Sequence, residues 1–375
     1  MFVSLQMLIP TLPVYVEEIG ASNFEVGLAV SLFAAAALLA RPFSGILLDT
    51  VGRKVVLFVG LVFLVFFSVQ YFWITSVIVI LLLRILHGLS WGISTTGMST
   101  VIADIVPKSR RGEGLGYFGL SVTVSLAVAP YFGLWIVEQY SFTWMFIVSC
   151  ASATASLLLA LFVRISSQNV SKPVQQETRP KLSARIFERQ ALMPALLVFL
   201  FTSAYSAVEV YIAMFTEEKN LPSAGPFFIV LAIAMFVVRP ISGKLYDRFG
   251  VRGIVMAGVL ITIGGILLLS VSDTMLLMLA AGAICGSGLS AVMPSLQAWN
   301  VDRAPSDRLG AANGTYMSGI DLGFSFGSMV NAVIAGFTSY AVMYQVITIY
   351  LVLFVIIFAI YMWRPARQEE SSMQA

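Results

Sequence analysis

Long apolar runs separated by short polar breaks fill this chain from end to end. Twelve runs read as helices, near 2–17, 23–48, 55–74, 77–103, 113–137, 142–165, 191–214, 224–246, 254–271, 275–301, 310–337 and 341–363. Most come close to or exceed the roughly 20 residues that cross a hydrocarbon layer of about 30 Å. The one long polar break is "RISSQNVSKPVQQETRPKLSARIFERQ". The pattern predicts an all-α membrane protein of twelve transmembrane helices. It divides into a six-helix bundle over 1–165, a cytoplasmic linker over 166–190, a second bundle over 191–364 and a cytoplasmic tail over 365–375. The first run is short, which sets Met1 partway along a helix whose beginning is missing from this chain.

Composition agrees, at 59% hydrophobic and 11% charged residues with a mean hydropathy of +0.92. These values exclude an ordinary soluble domain. Of the 22 Lys and Arg, Arg41, Arg84 and Arg239 fall well inside predicted helices, and Lys219 lies in a loop on one side. The others fall at or beyond helix ends on the opposite side, which marks that side, with both termini, as cytoplasmic. The net charge of +3 reflects this loop bias and does not indicate nucleic acid. Cys150 and Cys285 are solitary in apolar runs and read as packing residues. One histidine, no metal-ligand spacing and no P-loop leave little for catalysis or ATP use, so neither an enzyme nor a bound cofactor is expected.

The chain also repeats itself at an offset of 198 residues. Arg41, Pro42, Ser44, Gly45, Asp49 and Gly52 find counterparts in Arg239, Pro240, Ser242, Gly243, Asp247 and Gly250, and Gly88, Asp104 and Gly112 in Gly286, Asp302 and Gly310. A duplicated six-helix unit, both copies in one orientation, suits two bundles that rock about a site between them.

The segment "GILLDTVGRK", its echo "GKLYDRFG", "RILHGLSWG" in the fourth helix and a reduced helix-5 element, "APYFG", resemble the motifs of the major facilitator superfamily, in its drug:proton antiporter branch. The resemblance implies alternating access and export of small hydrophobic or amphiphilic compounds against protons. It implies a cytoplasmic latch in which Asp49 and Arg53 act against helix 11, with Lys54 facing the cytoplasm. Asp104, Arg110 and Arg111 are candidate latch partners, and Asp247 is the latch residue of the weaker copy. It gives Arg84 a role in proton coupling or substrate contact, and implies drug resistance as an outcome and a bacterial inner membrane as the location. The expected partners are a small-molecule substrate, protons and membrane lipids, with the monomer as working unit.

The residues themselves add to this reading. Gly45 and Gly52 are expected to let the chain turn and approach closely between helices 2 and 3, with Asp49 near the start of helix 3. Arg41 and Arg239, one or two turns from the cytoplasmic helix ends, can snorkel to the interface. Arg84 lies deeper, where an unpaired cation costs at least about 2.5–3.5 kcal/mol, so it must face a cavity or a partner. His87, one turn on, suits either a proton relay or a packed, hydrogen-bonded role. Glu209 in helix 7 and Asp321 in helix 11 are intramembrane carboxyls that can carry a proton, attract a cationic substrate or accept local hydrogen bonds. Glycines 314, 319, 323 and 327 predict close approach of helix 11 to a neighbour. Tyr15, Trp91, Tyr205, Tyr211, Gln297, Asn313 and Tyr316 are candidates to line a substrate cavity. Proton-symport uptake of a nutrient, or a non-transporting receptor or scaffold on the same fold, are the alternative functions.

Overall fold

The computed structural model describes residues 1–105, 111–163, 188–304 and 309–363, and among them no strand occurs. The N-terminal helices are α1 (Phe2–Glu18), α2 (Asn23–Thr50), α3 (Arg53–Gln70), α4 (Val77–Ile105), α5 (Arg111–Gln139) and α6 (Phe142–Leu161). The C-terminal helices are α7 (Leu192–Glu218), α8 (Gly225–Tyr246), α9 (Arg248–Ser270), α10 (Met275–Arg303), α11 (Leu309–Phe337) and α12 (Tyr340–Met362). Among the described residues ten of these are long and apolar enough to cross a membrane, and α1, with 17 residues, is shorter than any of them. The predicted linker and tail lie almost entirely outside the described residues.

Short polar breaks start the helices by capping them. Ser22 and Glu25 form a reciprocal capping box on α2, and Ser141, Thr274 and Ser339 accept from the first-turn amides of α6, α10 and α12. On the other side of the bundle single glycines turn the chain. Gly52, at φ 108, joins α2 to α3, and Gly250, at φ 68, is a non-helical residue in the first turn of α9, just after α8 ends. The loop expected over 247–253 therefore shrinks to a kink, because glycine reaches this backbone region without the clash a Cβ would bring. Two readings of the α2–α3 turn change as a result. Asp49 belongs to the last turn of α2 rather than the start of α3, since nothing breaks the helix before Gly52. Gly45 lies inside α2 with open space where a Cβ would stand, so it neither turns the chain nor admits a close neighbour. Gly52→Ala should accordingly destabilise the protein by about 1–2 kcal/mol. Gly45→Ala should stabilise it by about 0.5–1 kcal/mol. The thermal unfolding midpoints of the two purified variants, moving in opposite directions, check this.

The repeat seen in the sequence is repeated in space. A Cβ on Gly88 of α4 would run into the carbonyl oxygen of Phe33 on α2, and Gly286 of α10 meets the carbonyl oxygen of Leu231 on α8 in the same way. In the first copy Arg84 Nε donates to the carbonyl of Ala29 at 2.6 Å, while Gly282 packs on Phe227 at the equivalent place. Helices α7 and α11 run parallel, and Gly319, Gly323 and Gly327 rest in turn on the backbone of Ala195, Phe199 and Ser203, as the four-residue spacing predicts. Gly314 has no such neighbour. Large apolar side chains such as Trp73, Leu159, Phe162, Phe236, Leu276 and Phe337 point outward, as a lipid-facing surface requires.

Charge separates the two ends of the bundle. Arg53, Lys54, Arg248, Arg252 and Arg303 mark a basic end. Glu17, Glu18, Glu25, Glu138, Glu217, Glu218 and Asp273 mark an acidic end, where Lys219 bonds Asp273 at 2.6 Å.

Candidate functional site

The N- and C-terminal helices meet along α2–α11, α5–α8 and α1–α7. Helices α2 and α11 run antiparallel and form a ladder whose rungs descend from the acidic end. A Cβ on Gly336 would contact Asn23 at 3.1 Å, Gly27 faces Ala332 and the Ser328 carbonyl, and Ser325 Oγ donates to the carbonyl of Ser31 at 2.9 Å. The small side chains on the first two rungs let the helices approach, and a hydroxyl supplies the third. The last rung is an ion pair. Arg41 donates from Nε to Asp321 Oδ2 at 2.5 Å and from Nη2 to Oδ1 at 3.2 Å, with the two side chains 25% and 16% exposed. The fork thus holds both carboxylate oxygens, while part of each side chain remains exposed. On the second seam, Ser223 Oγ donates to Glu138 Oε1 at 2.6 Å, and Tyr131 packs beside Gly225, both at the acidic end.

The other intramembrane charges sit within one bundle or the other. Arg84 is 2% exposed, with its guanidinium 4.1 Å above the Phe33 ring, and its Nη1 has no hydrogen-bond partner among the described residues. His87 shares this cluster: its Nδ1 is 3.2 Å from the Tyr71 hydroxyl, and its ring meets Phe33 edge-on. Glu209 on α7 is 5% exposed, and neither its Oε1 nor the Tyr205 hydroxyl one turn before it finds a partner among the described residues. A buried oxygen left so costs about 1–3 kcal/mol.

Against this geometry, a family model described as Major Facilitator Superfamily matches residues 1–270 and 228–373. The chain belongs to that superfamily. An uncharacterized transporter of the superfamily from Methanocaldococcus jannaschii is 26% identical over 347 residues, covering 90% of this chain and 88% of that one. Quinolone resistance protein NorA of Staphylococcus aureus is 26% identical over 221 residues, 58% of this chain and just over half of that one, 56%. The crystal structure of a point mutant of the nucleoside transporter NupG superposes with a TM-score of 0.78 over 97% of both chains at 13% identity, a likeness of fold.

Within this superfamily fold the remaining sequence-derived candidates fall into three groups. Tyr15, Tyr211 and Tyr316 direct their hydroxyls to the backbone carbonyls of Ile74, Ser328 and Met293, each inside its own bundle, and Trp91 packs against Phe2 and Phe33. Asn313 accepts from Asn300, and Gln297 is exposed. Arg53 and Lys54 open α3 beside Gly52, whereas the side chains of Asp49, Asp104, Arg111 and Asp247, and all of Arg110, lie outside the described residues. The residue whose partner sequence reasoning did not name is Arg41, read there as able to snorkel to the interface. Its repeat-related residue Arg239 is exposed on α8, and the sequence carries Thr123 at the position repeat-related to Asp321, so the carboxylate of the pair is not repeated there.

Proposed function

We propose that this superfamily member is a proton-coupled secondary transporter that exports small hydrophobic or amphiphilic compounds by alternating access. The ion pair between Arg41 and Asp321 carries the reading, because it is a charged rung that joins the two bundles and both of its side chains are still partly exposed. A protonated Asp321 keeps its shape but loses its charge and one acceptor site, which weakens the rung while leaving the helices intact. By the positive-inside rule the basic end is the cytoplasmic one, with both termini inside, and the proposed location is the inner membrane of a bacterium. Helices sealed together at the acidic end then describe a carrier open to the cytoplasm, with Asp321 ionised and the substrate free to enter.

In the proposed cycle substrate binds between the bundles, the acidic-end seams part, and the site opens outward. There Asp321 takes up a proton and the substrate leaves. The neutral carrier returns, and loss of the proton inside lets Arg41 take hold again. Glu209 supplies a second buried carboxyl on the α7 side and Arg84 a buried cation on the α4 side; the monomer holds the whole device. The quinolone resistance named for NorA supports both the direction and the class of substrate.

The test uses inverted membrane vesicles with an established pH gradient, followed by a fluorescent dye. Cationic, neutral and anionic amphiphiles are added in turn. Proton release on addition of one of them is the expected result. A gradient unmoved by the whole panel, or protons moving in the direction of symport, overturns the export reading.

A further inference from the structure

Between α9 and α12, on the outer face of the C-terminal bundle, lies a groove of about 420 Å³. Ala257 and Leu260 line one wall, Phe358 and Met362 the other, and Arg252 stands at its basic end. Phe358 is buried, whereas Leu260 and Arg252 are exposed, so the groove has an apolar floor and an open side. From Arg252 to Leu260 it runs about 12 Å along α9 toward the middle of the membrane.

Its depth is marked by its neighbours. Arg303 lies 5.5 Å from the ring centres of both Trp299 and Tyr361, and Arg248 lies 5.1 Å from that of the exposed Phe249. Aromatic rings paired with cations occupy the headgroup layer of a membrane. Tyr361 is one turn beyond Phe358 on α12, which puts Arg252 among the headgroups and the apolar floor among the acyl chains. Neither Arg252 nor Arg248 belongs to the ion pairs found among the described residues.

We infer that this groove binds an anionic phospholipid of the basic-end leaflet, one acyl chain lying along Phe358 and Leu260 and the phosphate meeting Arg252. The shape accepts a chain, and the positive mouth selects the head. The site stands apart from the seam between the bundles and does not depend on the transport reading.

Native mass spectrometry of the full chain in neutral detergent tests it, with phosphatidylglycerol or phosphatidylcholine added. The unaltered protein is expected to retain phosphatidylglycerol preferentially. Arg252→Ala should lower that retention about fivefold, to the level of phosphatidylcholine. Ala257→Phe, which fills the groove from an exposed position, should lower retention of both lipids, and Leu260→Trp serves as a second filling variant should the first not fold. Lys54→Ala, the repeat-related position to Arg252, should change neither. Equal retention of the two lipids by the unaltered protein, or phosphatidylglycerol retention that survives both Arg252→Ala and a filled groove, overturns the inference.

Discussion

Asp321→Asn is expected to leave the protein folded and to cut substrate-driven proton flux in vesicles by about 100-fold or more. Asparagine has nearly the same shape and keeps an oxygen that can accept from Arg41 Nε, so the α2–α11 ladder retains its last rung in neutral form. What it lacks is a proton to gain and lose. The carrier should still bind substrate from the basic side, and it should still exchange labelled for unlabelled substrate at equilibrium, because neither process needs net proton movement. Arg41→Gln should act differently. It leaves a partly exposed carboxylate without its cation, which lowers both stability and coupling, and combining it with Asp321→Asn should restore the stability alone. Wild-type proton flux from a well-folded Asp321→Asn protein would rule out the proposed carrier residue, and Glu209 would become the one to test.

The largest effect on folding is expected at Gly327. A Cβ there would collide with the carbonyl oxygen of Ser203, stand 2.6 Å from its Cα and lie 2.5 Å from Ser206 Oγ. Two of these atoms are backbone, so no rotamer change relieves the clash, and α7 and α11 would have to separate along their length. Separation would also strip Asn331 Nδ2 of its bonds to the Ser203 carbonyl and Ser206 Oγ. Overpacking usually costs about 1–3 kcal/mol, and a bulky side chain at a backbone contact belongs at the upper end or beyond. Lipid offers no hydrophobic compensation for parted helices. Gly327→Leu should therefore give little monodisperse protein after detergent extraction, whereas Gly314→Leu, on the same helix with open space at its Cβ, should extract like the parent. Equal yields from the two would show that the seam tolerates expansion.

Most of the helices could be read from hydropathy because each is a long apolar run, and the duplication because paired glycines such as Gly88 and Gly286 do the same steric job in both copies. Helix ends were less legible. The sequence does not announce that Gly52 and Gly250 alone can turn the chain, so the helices run on further than the polar residues around those glycines suggest. The Arg41–Asp321 pair lay beyond local reading for another reason. Its members are 280 positions apart, and which face of a helix meets a partner depends on how the two bundles sit together. One signal was available: a cation on helix 2 and an anion on helix 11, at similar depth from the same end. Opposite intramembrane charges at matched depth seek each other, since either alone is costly. Tyr15, Tyr211 and Tyr316 satisfy their hydroxyls on neighbouring backbone carbonyls, which a sequence pattern does not show.

The rungs between α2 and α11 lie at different depths and differ in kind: apolar small-residue contacts first, a hydroxyl next, a charge pair last. Helices that tilt apart about one end undo such a series in order, never all at once. Where contacts formed elsewhere offset each rung as it is released, the activation barrier to switching stays below the sum of the steps, and every 1.36 kcal/mol saved in that way is a tenfold gain in rate. An interface can thus be extensive enough to seal against leakage and still open on the timescale of a transport cycle.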